Sequence, residues 1–93
     1  MNDRIDFDVT SLSASVQLMR EQNDKNKENK QKLIEYIDTT LSKEWNTVHG
    51  IEAVSELRSF AEINFQEYID YLDSKINTFE DVVIPALNRI NNA

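Results

Sequence analysis

Cysteine is absent from this chain, and glycine, proline, histidine and tryptophan occur once each in 93 residues. Without cysteine there is no disulfide framework, thiol nucleophile or thiolate metal site. With one Gly and one Pro there is almost no turn chemistry, which β-rich folds need at every hairpin. A single histidine with no ligand-spaced carboxylates beside it, His49, reads as an exposed residue at a helix start rather than a metal ligand or acid–base group. One glycine also rules out a Gly-rich phosphate loop. Basic residues are few as well: 10 against 17 acidic, a formal net charge of −7, which repels phosphate backbones and anionic lipid. Nucleic acid is therefore not an expected partner. Nor is membrane insertion expected, because no apolar run approaches the roughly 18 residues of a span. The start, MNDRIDFDVT, lacks a basic segment followed by an apolar one, so export would proceed without a cleaved signal peptide.

What remains is helix-forming material. Hydrophobic residues make up 40% of the chain, too many for a disordered polyampholyte, and Leu, Glu, Lys, Gln and Ala fill the element interiors. The expected fold is all-α, a single domain over residues 1–93. Helix 1 is expected over about 9–43, started by Asp8, Thr10 or Ser11. A turn at about 44–47 follows, then helix 2 over about 48–91, capped by Thr47. Pro85 lacks an amide hydrogen and clashes with the carbonyl of Asp81, so a bend or break is expected near it. The two helices form an antiparallel hairpin in which facing residues have numbers adding to roughly 95.

The apolar positions of helix 2 repeat every eleven residues: Val54, Leu57 and Ala61, then Phe65, Tyr68 and Leu72, then Ile76, Phe79 and Val83. At about 3.67 residues per turn this stripe runs nearly straight. A second line with the same step, Phe60, Tyr71 and Val82, widens the apolar face to something like half the circumference. One partner helix would not cover it, so these residues are the expected interface with a second hairpin in a four-helix bundle. Helix 1 is apolar near its ends, at Leu12, Val16 and Met19 and at Leu33, Ile34, Ile37 and Leu41. REQNDKNKENKQK, residues 20–32, is polar throughout. Asn23 and Asn26 stand there on stripe positions. One reading is a solvated waist with Lys stems lying over Phe65 and Tyr68. The other is a pair of register or partner selectors, satisfied by the Tyr68 and Tyr71 hydroxyls.

No catalytic, metal or cofactor site emerges: the carboxylate pairs look like solvated faces and a two-helix rod offers no natural concavity. The expectation is a protein without enzymatic activity that works through its surfaces. EWNTVHG, residues 44–50, holds both the Trp and the Gly. Trp45, Thr47 and Gly50 form the expected turn motif, with Trp45 plugging the end of the core over the turn.

Two long helices with a Trp and a Gly at their turn resemble the WXG100 (ESAT-6-like) family of small type VII secretion proteins, most strongly over WNTVHGIEAVSELRSF. Four residues separate Trp45 from Gly50 where the family's usual motif has one, a looser, Gram-positive-looking variant. The resemblance implies pairing with its own copy or a related helical-hairpin chain, and a role as a secreted substrate or as escort of a larger secreted effector or toxin. It also adds the option that Trp45 is partly exposed and belongs to a recognition surface. The family's export signal, a Tyr followed four residues later by Asp or Glu, has no counterpart here: Tyr68 leads to Leu72 and Tyr71 to Lys75. That favours a partner role in which the mate supplies the signal. The alternative is a cytoplasmic helical adaptor with no export role. An acidic antitoxin for a basic toxin is a third reading that rests on charge alone. If Asn23 and Asn26 select partners, replacing both with Leu should raise the urea midpoint while broadening the set of assemblies seen by native mass spectrometry.

Overall fold

A computed structural model describes residues 6–93. Every regular element among them is helical. The first arm comprises α1 (Val9–Tyr36), a π-helical turn (Ile37–Leu41) and the short α2 (Ser42–Glu44). The second comprises α3 (Val48–Ser59), a π turn (Phe60–Phe65), α4 (Gln66–Thr78), a π turn (Phe79–Val83) and α5 (Ile84–Asn91). The arms fold back on each other as a hairpin, a rod of 75 × 18 × 16 Å.

Both helix starts are capped by side chains, as the sequence invites. Asp8 accepts from the Ser11 amide at 2.9 Å and from the Ser11 hydroxyl at 2.8 Å. These two bonds, the amide's first, hold the Asp8 carboxyl below the usual carboxylate range. At the start of α3, Thr47 Oγ1 accepts from the Gly50 amide at 3.1 Å. The open end is tied by Asn91, which accepts from the Phe7 amide and donates to the Phe7 carbonyl.

Burial in the first arm follows a seven-residue step: Val16, Asn23 and Ile37 are buried and Lys30 is half-buried. In the second arm Ala61, Ile69 and Ile76 are buried, with steps of eight and then seven. The step of eight spans the π turn Phe60–Phe65, whose wider turn absorbs one extra residue. Tyr68, seven after Ala61, is thereby rotated away from the seam and is 53% exposed, and Ile69 takes its place. This corrects the uniform eleven-residue stripe, which assumed an unbroken α-helix.

The last π turn, Phe79–Val83, sits directly ahead of Pro85. Pro85 then falls in the first turn of α5, where no amide hydrogen is needed. Helix continues on both sides of the proline, so the break that was one of the two outcomes expected there does not occur, and a π turn precedes the proline. Hydroxyls also compete for backbone acceptors beside the irregular turns. Thr39 donates to the Glu35 carbonyl, Ser42 to that of Ile37 and Thr78 to that of Ser74.

Asn23 is 1% exposed, so its amide must be satisfied within the hairpin. Its Nδ2 donates to the Ile69 carbonyl at 3.1 Å and to Asp73 Oδ1 at 2.8 Å, while its Oδ1 accepts from Asn26 Nδ2 at 3.3 Å. The partners are thus a backbone carbonyl and a carboxylate, not the phenols of Tyr68 and Tyr71, because the π turn carries both rings outward. An Asn23→Ala variant should lose about 2–4 kcal/mol in urea unfolding, since it empties a buried site and removes a bond to a charged group. Lys27→Ala, which removes the surface pairs with Asp73 at 3.2 Å and Asp24 at 3.8 Å, should cost less than about 1 kcal/mol.

Candidate interaction surface

The two sides of the seam differ in chemistry, and helical spacing shows why. Arg20 and Lys27, three before and four after Asn23, lie on one side of the line through it. Met19 and Asn26, four before and three after, lie on the other. On the second arm Asp73 and Glu80 flank Ile76 on the first side, Leu72 and Phe79 on the second. The first flank is ionic. Arg20 Nη2 meets Glu80 Oε2 at 2.6 Å and its Nε reaches Oε1 at 3.2 Å, a two-pronged pair that also raises the Arg20 pKa. Lys27 pairs with Asp73. Towards the turn, Arg58 bonds Asp38 on the other arm and Glu62 on its own.

The second flank is apolar and open. Met19, Gln22, Asn26, Tyr68, Leu72 and Ile76 line a depression of about 230 Å³. Ile76 forms its floor, Tyr68 stands exposed at its edge, and no charged side chain lines it. Farther round the second arm Phe60, Tyr71 and Val82 are exposed, the Tyr71 ring lying 5.3 Å from Lys75 Nζ.

The residues expected at an interface therefore divide into three groups. Phe60, Tyr68 and Tyr71 face solvent. Val54, Leu57, Phe65, Leu72, Phe79 and Val83 are half-buried, part in the seam and part within reach of a partner. Ala61 and Ile76 are buried, Ala61 within the hairpin seam and Ile76 beneath the depression, so neither offers surface to another chain. The sequence reading missed Ile69, because the eleven-residue step passed through Tyr68 instead, and the exposed Leu18, Val48, Ile51 and Ile63. Of the two asparagines, Asn23 is closed off inside the hairpin while Asn26 is half-buried at the rim of the depression.

At the turn, Trp45 donates its amide to the Leu41 carbonyl at 2.8 Å and its side chain is 48% exposed. It lines a small hollow with Ser42, Ile51 and Val54, so it leans on the end of the core without sealing it. His49 is almost wholly exposed, 4.0 Å from Glu52. Gly50 has ordinary negative φ, and its value is space. A Cβ there would overlap the Trp45 carbonyl oxygen and stand 2.9 Å from Thr47 Oγ1. The close approach is to the Trp45 backbone rather than to the indole. Among the described residues no cluster of His, Asp and Glu is placed to hold a metal ion, and no helix is long and apolar enough to cross a membrane.

No protein-family model, curated protein or solved structure matches this chain. The class of protein rests accordingly on architecture: a helical hairpin with one ionic and one uncovered apolar flank. Gly50→Ala should be enough to push the Trp45 carbonyl aside, lowering the thermal midpoint by several degrees and shifting the Trp45 emission maximum, with helicity by circular dichroism largely kept.

Proposed function

We propose that this chain is a non-enzymatic helix-bundle interaction protein that works in type VII secretion, as a small substrate or as the hairpin partner of a larger secreted effector. The observation that carries the proposal is the uncovered apolar flank. A hairpin this thin leaves aromatic and aliphatic side chains in water along one side, while its polar cross-links gather on the other. A second hairpin laid along that flank would complete a four-helix bundle. Burying about 300–500 Å² of apolar surface on each chain corresponds to roughly 8–12 kcal/mol per chain at about 25 cal/mol per Å², before the cost of association.

The likeness of the Trp45–Gly50 turn to the WXG100 pattern supports the secretion role, and so does the half-exposed Trp45, which leaves an indole face free for recognition. The absence of a Tyr–Asp/Glu pair at a spacing of four favours the partner role. Immunoblots should find the chain in culture fluid of cells with an intact type VII machine and lose it there when the machine's motor is deleted. Retention inside intact cells in both strains would overturn the secretion role and leave the cytoplasmic adaptor. Affinity purification of the tagged chain should bring down a second helical-hairpin protein, its own copy or another.

A further inference from the structure

We propose that α5 is a hinged strap over the open end of the hairpin. Its hinge is the π turn Phe79–Val83 with Pro85, and its latch is Asn91. The inference goes beyond the interaction role and does not depend on it. Three observations carry it.

The first is the latch. Asn91, the last residue of α5, accepts from the Phe7 amide at 2.9 Å and donates to the Phe7 carbonyl at 2.8 Å. One side-chain amide thus makes both bonds of a backbone pairing, between residues 84 apart in the chain. Phe7 directly precedes the Asp8 cap of α1, so the clasp joins the last turn of one helix to the entry of the other. Both bonds are exposed. Water competes for the same groups, so each adds little net stability and the tie can open and reclose.

The second is the hinge. The π turn closes with the Ile84 amide donating to the Phe79 carbonyl, and Pro85 then has no amide with which to carry the ladder on. Sharp bends in helices concentrate at such π turns and prolines. The eight residues of α5 are also fewer than the about 12 that a helix needs to hold itself in water. Packing on α1 and the latch therefore keep α5 in place more than its own helicity does.

The third is the gap between ties. Moving inward from the latch, the next polar link across the arms is Arg20–Glu80. Among the described residues no hydrogen bond or ion pair crosses between them. In the register that the two ties set, Leu12 lies level with Leu87 and Val16 with Val83. Leu12, Val83 and Leu87 are half-buried and Val16 is buried. Contacts of this kind are not directional, so once the latch opens nothing but apolar burial holds α5 down. Lifting it uncovers Leu12 and its own Leu87, which the closed strap conceals.

Hydrogen–deuterium exchange of the full chain, read amide by amide in NMR spectra, tests the strap. The amides of Ala86 to Ile90 should exchange at one common rate, faster than those of Asp70 to Lys75. Asn91→Ala should accelerate the first set at least ~5-fold, as loss of two weak hydrogen bonds does, and leave the second set unchanged. Alanine is the better helix former, so an α5 held by its own helicity would instead exchange more slowly in this variant. Unchanged or slower exchange in Asn91→Ala would overturn the latch. A gradient of rates rising towards Asn91 would mean fraying from the end and overturn the strap. Acceleration that runs on through Asp70 to Lys75 would overturn the hinge, because α4 and α5 would then open as one.

Discussion

The hairpin depends on one buried amide. Asn23 sits in the middle of the most polar stretch of the chain and is one of its most deeply enclosed side chains. Its Nδ2 bridges the Ile69 carbonyl and the Asp73 carboxylate, two groups one helical turn apart on the other arm. A backbone carbonyl has two lone pairs, so Ile69 can accept from Asn23 without surrendering its own helix bond. Sliding the arms by one turn would leave the amide facing apolar side chains, at the cost of an unsatisfied buried polar group. Aliphatic contacts such as Val16, Ile37, Leu41 and Ile76 tolerate sliding far better, because dispersion and burial are not directional. Asn23 is therefore the contact most sensitive to register, and the aliphatic residues supply the cohesion.

That register constrains the second arm more than the first. The first arm keeps a seven-residue step, and its inward line passes through Asn23 as though the polar waist were ordinary core. To present the Ile69 carbonyl and Asp73 to Asn23 while Ala61 stays inward, the second arm has to gain one residue between them. The π turn Phe60–Phe65 provides it. The same extra residue turns Tyr68 outward, to the edge of the depression that it lines with Met19 and Leu72. Register selection within the hairpin and the apolar opening on its flank are in this sense one event: the residue inserted to satisfy Asn23 is what frees Tyr68.

Much of the fold was legible because it follows from local rules. Shortage of Gly, Pro and Cys leaves long helices as the economical solution, and Asp8 and Thr47 carry the side-chain oxygens that start them. Asn23 was legible only as an alternative between a solvated interruption and a selector, and its 1% exposure excludes solvation at that position. Its partners were not legible, because they depend on a phase that the eleven-residue stripe through Tyr68 does not have. Ile69 was missed for the same reason. In a uniform helix it stands one position off the stripe, and a π turn betrays itself in sequence only as an extra residue between two otherwise in-phase segments. At the turn, the need for Gly50 was readable as close approach, but the atom approached is the Trp45 carbonyl, fixed by the Leu41 and Thr47 bonds that set the chain's path.

The division into an ionic and an apolar flank bears on how a strongly acidic, thin protein can have a partner at all. Ion pairs at the surface add little stability, because solvent screens them and long side chains lose entropy in holding them. Arg20–Glu80, Lys27–Asp73 and Arg58–Asp38 are therefore weak as struts. Their stronger effect is to settle which side of the rod stays in water: a partner covering them would have to strip hydration from paired charges, a cost that attraction in a drier setting need not repay. The opposite flank carries no such penalty around Met19, Tyr68 and Leu72, and covering it removes apolar surface that the hairpin alone cannot bury. Directionality in the proposed assembly would thus come less from strong attraction on one side than from the expense of desolvating the other.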